Sequence, residues 1–278
     1  MPNDHDALNF AAANEAALCT IVGIEGSFSR RLGAQLAAGR DRSLAGDLAD
    51  NCLHAELAKQ AEIARAEGSS RVLRYGQGSP FIDFRLPCGS GLDILVDPAP
   101  DRAALQDCVA ELGARRPAQL VLQSGTGMLD IRRYVPSLRM LVLGSGSECE
   151  ALERLARAQG VEIERREAGN GLALNQVPRD LRADPWTAVL LLFHDHEWEH
   201  ALLDWALGTE AFYIGAQGGA AAREERIERL QATRHGQKAI ARIHSPIGLI
   251  PHARDSQVLA LSVLADVVGA YEELHPHR

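Results

Sequence analysis

Apolar positions along this chain follow two rhythms, and the change between them divides it. Asp6 to Leu18 reads as a helix, and from Leu48 to Glu67 leucine and alanine recur every three or four residues, the spacing of a helix with one buried face, which Gly68 closes. Between these runs, CTIVGIEG reads as a strand and GSFSRRLGAQLAAGRD as a glycine- and arginine-rich loop. Short strand candidates follow in RVLRY, FIDFRL and GLDILVDP, then a helix in AALQDCVAEL. The strands QLVLQ and MLDIRRYV come last, with the turn formers Gly125-Thr126-Gly127 between them. This half is expected to be α+β, centred on a sheet.

After Tyr134-Val135-Pro136-Ser137, which punctuates like a linker, the pattern changes. Strands become nearly continuous apolar runs and alternate with helices. LRMLVLGSG is followed by a helix from Glu148 to Gln159, the strands VEIERRE and WTAVLLLF, a helix in WEHALLDWAL, the strand AFYIGA, and helices from Ala222 to Ala232 and near Asp255 to Tyr271. Strands without polar alternation are buried on both faces, which predicts a parallel sheet covered by helices on each side. The expected fold class is therefore α/β: an α+β amino-terminal domain over residues 1–134, then a Rossmann-like doubly wound domain over residues 139–278.

In such sheets ligands gather beyond the carboxyl ends of the strands. LVLGSGSEC gives strand, G-x-G and helix, so Gly144 and Gly146 would let a pyrophosphate approach helix N–H groups. Cys149 stands where a third small residue lets the helix pack. Glu167, closing the second strand, stands where an acid would meet a ribose hydroxyl, while Glu148 puts a negative charge beside that phosphate. The next strand delivers His194 and Asp195 to the same edge, in FHDHEWEHAL. That string also contains H-E-x-x-H, His196 to His200, the zinc-hydrolase spacing. No downstream motif supplies a third ligand, and Asp195 suits a helix N-cap, so no metal is assigned.

The 278 residues carry a net charge of −8, which disfavours a nucleic-acid binder. Arg30-Arg31, Arg132-Arg133 and Arg165-Arg166 are solvated faces or local anion holders. No apolar stretch reaches membrane-helix length and the amino terminus lacks a signal pattern, so the expected location is the cytoplasm. The five cysteines form no C-x-x-C pair; Cys19 and Cys108 read as small buried hydrophobes.

IVGIEGSFSRRLGAQLA, NCLHAE, LRYG and LPCGSGLDILVDP, followed by LVLGSG, FHD, AFYIGAQGG, ARIHSPIGL and LALSVLAD, resemble in order the xanthine dehydrogenase accessory family of the XdhC/CoxI type. The resemblance implies an accessory protein, without turnover of its own, that binds the pyranopterin molybdenum cofactor. It would assist the cofactor's sulfuration and hand it to a molybdenum hydroxylase apo-enzyme, with a cysteine desulfurase as second partner; a homodimer stays open. Gly26, Ser27, Arg30 and Arg31 match E-G-S-x-x-R-R-x-G and would hold a phosphate. Cys52, near the start of a long helix, and Cys88, in P-C-G, would offer thiolates to a soft metal or relay sulfur. Gly215 in YIGA and His244 in RIHSPIGL are implied as cofactor-binding positions.

The chain departs from that pattern in several places. Asp50-Asn51-Cys52-Leu53-His54 replaces G-G-C-x-E, and Gln217-Gly218-Gly219-Ala220 replaces a segment with serine and basic residues. Two other functions remain: an NAD(P)-dependent oxidoreductase with His194 as proton donor oriented by Asp195, and a family member that only docks to its partner enzyme.

Overall fold

The computed structural model describes residues 5–48, 51–79, 89, 91–125, 127–231 and 235–277, with the side chains of residues 51 and 52 outside the description. The chain forms two compact units, Pro2–Pro136 with His275–Arg278, and Ser137–Leu274. Among the described residues no helix is long and apolar enough to cross a membrane.

The first unit is built on an antiparallel sheet of order β3-β2-β1-β5-β4: β1 (Ala16–Glu25), β2 (Gln35–Gly39), β3 (Leu44–Gly46), β4 (Arg71–Gly76) and β5 (Gly91–Asp97). β1 explains why both faces are covered. Ala17, Cys19 and Ile21 point to one side, where Leu53, Leu57 and Ala61 of α2 (Asn51–Glu67) pack. Leu18 and Val22 point to the other, against α1 (Asp6–Ala13) and α3 (Arg102–Gly113). Each fully buried leucine contributes about 1.5–3 kcal/mol relative to an exposed one. A smaller antiparallel pair joins β6 (Ala118–Val121) to β7 (Ile131–Tyr134).

Several sequence expectations shift here. The first helix stops at Ala13, and Asn14 turns extended, so Ala16 to Leu18 belong to β1. The stretch taken for one long loop contains β2, every residue of it buried. QLAAG is too short and too small in side chain to carry a periodic signal, and becomes a strand because β1 offers its edge. Leu48 is not helical, and α2 is described from Asn51. The strand expected in FIDFRL and the Thr126 position lie outside the described residues.

The second unit is α/β, with a fully parallel sheet of order β10-β9-β8-β11-β12-β13. Its strands are β8 (Arg139–Gly144), β9 (Glu162–Ala168), β10 (Gly171–Leu172), β11 (Thr187–Leu192), β12 (Tyr213–Ala216) and β13 (Ile243–His244). Counted within the unit this is the 3-2-1-4-5-6 order of a Rossmann sheet, whose direction of winding reverses between β8 and β11. Leu141, Leu143, Val189, Leu191 and Ile214 share a core with α5 (His200–Leu207) and α6 (Ala220–Gln231). α4 (Ser147–Ala158) and α8 (Ser256–Glu272) pack together. β10, β13 and the one-turn α7 (Gln237–Ile240) have no counterpart in the sequence reading, since two to four residues hold no period. The helix expected from Trp198 divides into a 3₁₀ turn, His196–Trp198, and α5, with Glu199 between them.

Candidate functional site

In the first unit, the loop after β1 folds back onto the strand it leaves. Gly26 and Gly33 both adopt φ +81°, and the Gly33 N–H donates to Ile21 O at 2.8 Å. A Cβ on Gly33 would lie 2.7 Å from Arg132 Cδ. Arg132, expected on a solvated face, is fully buried there, with its guanidinium 4.5 Å from the Tyr134 ring centroid. Its hydrocarbon stem packs beneath Gly33, and its head donates from Nη1 to Arg133 O.

The loop also reaches the helix that carries Cys52. Arg30 Nη2 donates to Asp47 Oδ2 at 2.7 Å, and His54 Nε2 of α2 lies 3.9 Å from Asp47 Oδ1. Arg30 Nε is buried and has no acceptor among the described residues. That orphaned donor, on a loop that the Gly26 and Gly33 turns shape, fits an oxyanion ligand. Arg31 is half-buried and Ser27 exposed in the same loop. Cys52 lies in the described first turn of α2, where a helix dipole favours a thiolate. Its side chain, and all of Cys88, lie outside the described residues. The sequence reading passed over Arg74, which pairs with Glu25 and, at 2.7 Å, with Asp93 beside the start of this loop. Its signal was present in LRYG, the segment that contains it.

In the second unit, the ends of β8 and β11 lie side by side, with Gly144 opposite Leu192. Gly144 adopts φ +148°, and a Cβ there would overlap the Leu192 carbonyl. Gly146 follows at φ +103°. At the first turn of α4, where a Rossmann site receives a pyrophosphate, stands the Glu148 side chain, 19% exposed and 3.6 Å from His194 Nε2. His194 is 70% exposed at the end of β11. Asp195 does not orient it. The Asp195 carboxylate accepts the Glu197 N–H at 3.0 Å and caps the 3₁₀ turn, as its N-cap reading anticipated. Cys149 is buried behind the turn, and burial pushes its thiol up to about 12. Glu167, one residue before the end of β9, lies 3.4 Å from Arg165, and Arg166 pairs with Glu164 and Asp180.

The H-E-x-x-H residues do not share one regular helix. His196 lies in the 3₁₀ turn and His200 opens α5. Burial, with the Arg229 guanidinium against the ring, lowers the His200 pKa. Among the described residues no group of three His, Cys, Asp or Glu side chains is arranged to hold a metal ion. The buried acid of the string is Glu199, which Arg226 engages through two hydrogen bonds. Gly215 has a packing role: a Cβ there would strike Ile247, and lie 2.7 Å from the Tyr213 ring. His244, exposed on β13, stacks on Tyr213 at 4.1 Å. Beyond β12 and β13 lies a cavity of roughly 530 Å³, whose walls include Gln217, Gly218, Ile247, Leu249, Ile250 and Leu259.

An antiparallel-sheet unit followed by a Rossmann unit defines a two-part α/β protein, with arginine and cysteine in the first part and a glycine turn in the second. Residues 10–76 match the model of the XdhC and CoxI family, and residues 140–267 match that of the XdhC Rossmann domain. Over 91% of its length this chain is 31% identical to the molybdenum cofactor insertion chaperone PaoD of Escherichia coli K12, of which it covers 83%. The chain belongs to the XdhC and CoxI family. A crystal structure described as a xanthine dehydrogenase from Bacillus halodurans shares the fold, with a TM-score of 0.74 and 19% identity over 97% of this chain and 96% of that one.

Proposed function

We propose that this protein is an insertion chaperone for the molybdenum cofactor, which it binds and delivers to a molybdenum hydroxylase. The observation that carries the reading is Arg30, fixed to Asp47 at 2.7 Å at the head of the Cys52 helix, with its buried Nε lacking an acceptor among the described residues. A pyranopterin brings a phosphate and a thiolate-bound soft metal. Arg30, Arg31, Ser27 and the Gly26 backbone suit the first, and Cys52 and Cys88 suit the second. The likeness to PaoD supports this reading, and Glu148 speaks separately against the dehydrogenase alternative, because it places a carboxylate where a dinucleotide would set its pyrophosphate. The reading extends to a cysteine desulfurase as sulfur donor, to work in the cytoplasm, and to a dimer as the binding form.

Freshly released cofactor, mixed with the full chain and passed over a sizing column, tests the idea. Pterin absorbance and molybdenum are expected to co-elute with the protein, and Cys52→Ala, Cys88→Ala or Arg30→Ala to lower the retained amount about tenfold. A wild-type chain that elutes free of both pterin and molybdenum overturns the reading.

A further inference from the structure

The end of the antiparallel sheet opposite the Arg30 loop holds a second concentration of arginine. There the start of β1 meets the end of β2, Ala16 opposite Gly39, and Leu18 lies opposite Asp97 at the end of β5. A cavity of roughly 270 Å³ opens at this edge, and Arg40, Arg65, Arg102, Glu15, Pro98 and Pro100 stand among its walls. The three arginines come from three places: the residue after β2, the last turn of α2, and the first residue of α3.

Two of the three are held by backbone carbonyls. Arg102 donates to Ala12 O at 3.0 Å and to Ala13 O at 2.7 Å, and Arg65 donates to Ala38 O. Arg40 Nε lies 3.0 Å from Glu15 Oε2 on the rim. A guanidinium has five N–H donors, so each arginine keeps donors with no acceptor among the described residues. Acids of the adjoining loop hold that loop: Asp97 accepts the Ala99 N–H, and Asp101 caps α3. The cavity walls carry three arginines and one carboxylate, with Asp97 and Asp101 still charged on the adjoining loop, in a chain whose net charge is −8. Pro98 and Pro100 lack N–H groups and offer apolar ring surface beside the cations. Like charges gathered this way repel, and a doubly charged oxyanion relieves the repulsion while using the spare donors.

We propose that this cavity binds the phosphate group of a small phosphorylated molecule, at a site separate from the Arg30 loop. Its ligand is either inorganic phosphate or a phosphomonoester with a small body, since both present the same dianion.

The test is calorimetric titration of the full-length chain with inorganic phosphate, and separately with ribose 5-phosphate, against chloride at matched ionic strength. Wild type is expected to show saturable binding near a millimolar Kd, about −4 kcal/mol. Arg65 and Arg102 tie backbone together, so the informative variants are on the rim. Arg40→Ala is expected to weaken binding about fivefold, and Glu15→Gln, which removes the competing carboxylate, to tighten it about threefold. Ribose 5-phosphate binding tighter than phosphate assigns the site to monoesters, and equal affinity assigns it to the phosphate group alone. The proposal falls if no saturable heat appears, if both rim variants match wild type, or if Arg30→Ala abolishes the signal. That last result would move the phosphate to the loop of the proposed cofactor site, leaving the chaperone reading untouched.

Discussion

Arg226 and Glu199 meet as a two-point pair, Nε to Oε1 at 2.7 Å and Nη2 to Oε2 at 3.1 Å, with both side chains 2% exposed. Arg226 also donates to Gln217 O and Ser245 Oγ at 2.8 and 2.7 Å. One guanidinium thereby ties α6 to the turn before α5, to the residue after β12, and to the residue after β13. All are at the carboxyl edge of the parallel sheet, where a Rossmann domain builds its loops.

Removing one member of this pair strands the other as a buried charge. Glu199→Ala is therefore expected to cost about 3–5 kcal/mol. Glu197→Ala, two residues away on an exposed position of the H-E-x-x-H string, should stay within about 0.5 kcal/mol of wild type. Thermal unfolding of the two variants side by side decides this. Equal melting temperatures would mean that Glu199 carries no such load.

Glu148 supplies a second prediction. Its carboxylate stands at the first turn of α4, where the dipole and free N–H groups otherwise attract a diphosphate. Glu148→Ala is expected to raise affinity for ADP at least about tenfold, measured by calorimetry, since roughly 1.4 kcal/mol of like-charge repulsion suffices. If wild type and variant bind ADP equally, the acid does not control this turn.

The buried thiols give a pH dependence. Burial pushes both Cys19 and Cys149 from 9.0 up to about 12, and also raises Cys108. Above about pH 9 the unfolded chain loses protons that the folded chain keeps, so stability falls as pH rises, by about 1.4 kcal/mol per thiol at pH 10. Urea midpoints between pH 8 and 10 should drop for wild type and flatten in Cys19→Ala with Cys149→Ala. An identical slope in that variant would contradict the assignment. By the same argument a thiol that alkylates fast in the native protein at pH 8 is expected to be Cys52 or Cys88.

Gly33→Ala tests the loop. The residue sits at φ +81° with Arg132 Cδ 2.7 Å from the added methyl. A loss of about 1–3 kcal/mol is expected, with weaker cofactor retention if the loop holds the phosphate. Gly68→Ala, at φ +68° but with open space around it, should lose only the backbone part. Comparable losses in both would remove the packing argument.

Hydrophobic rhythm alone determined the parallel sheet, because strands buried on both faces are written as unbroken apolar runs. LVLGSG and TAVLLLF announced β8 and β11, and the G-x-G turn followed from glycine's access to positive φ. The burial of Cys19 and Cys108 was legible because an unpaired cysteine behaves as a small hydrophobe. Tertiary structure decided what lacks a local signal. β2 exists because β1 pairs with it, β13 is a strand of two residues that β12 completes, and Arg132 enters the interior beneath Gly33. The same holds for Arg30 with Asp47, 17 residues apart, and Glu199 with Arg226, 27 apart. Periodicity reports which face of an element is apolar, whereas an ion pair or an edge contact depends on which elements the fold brings side by side.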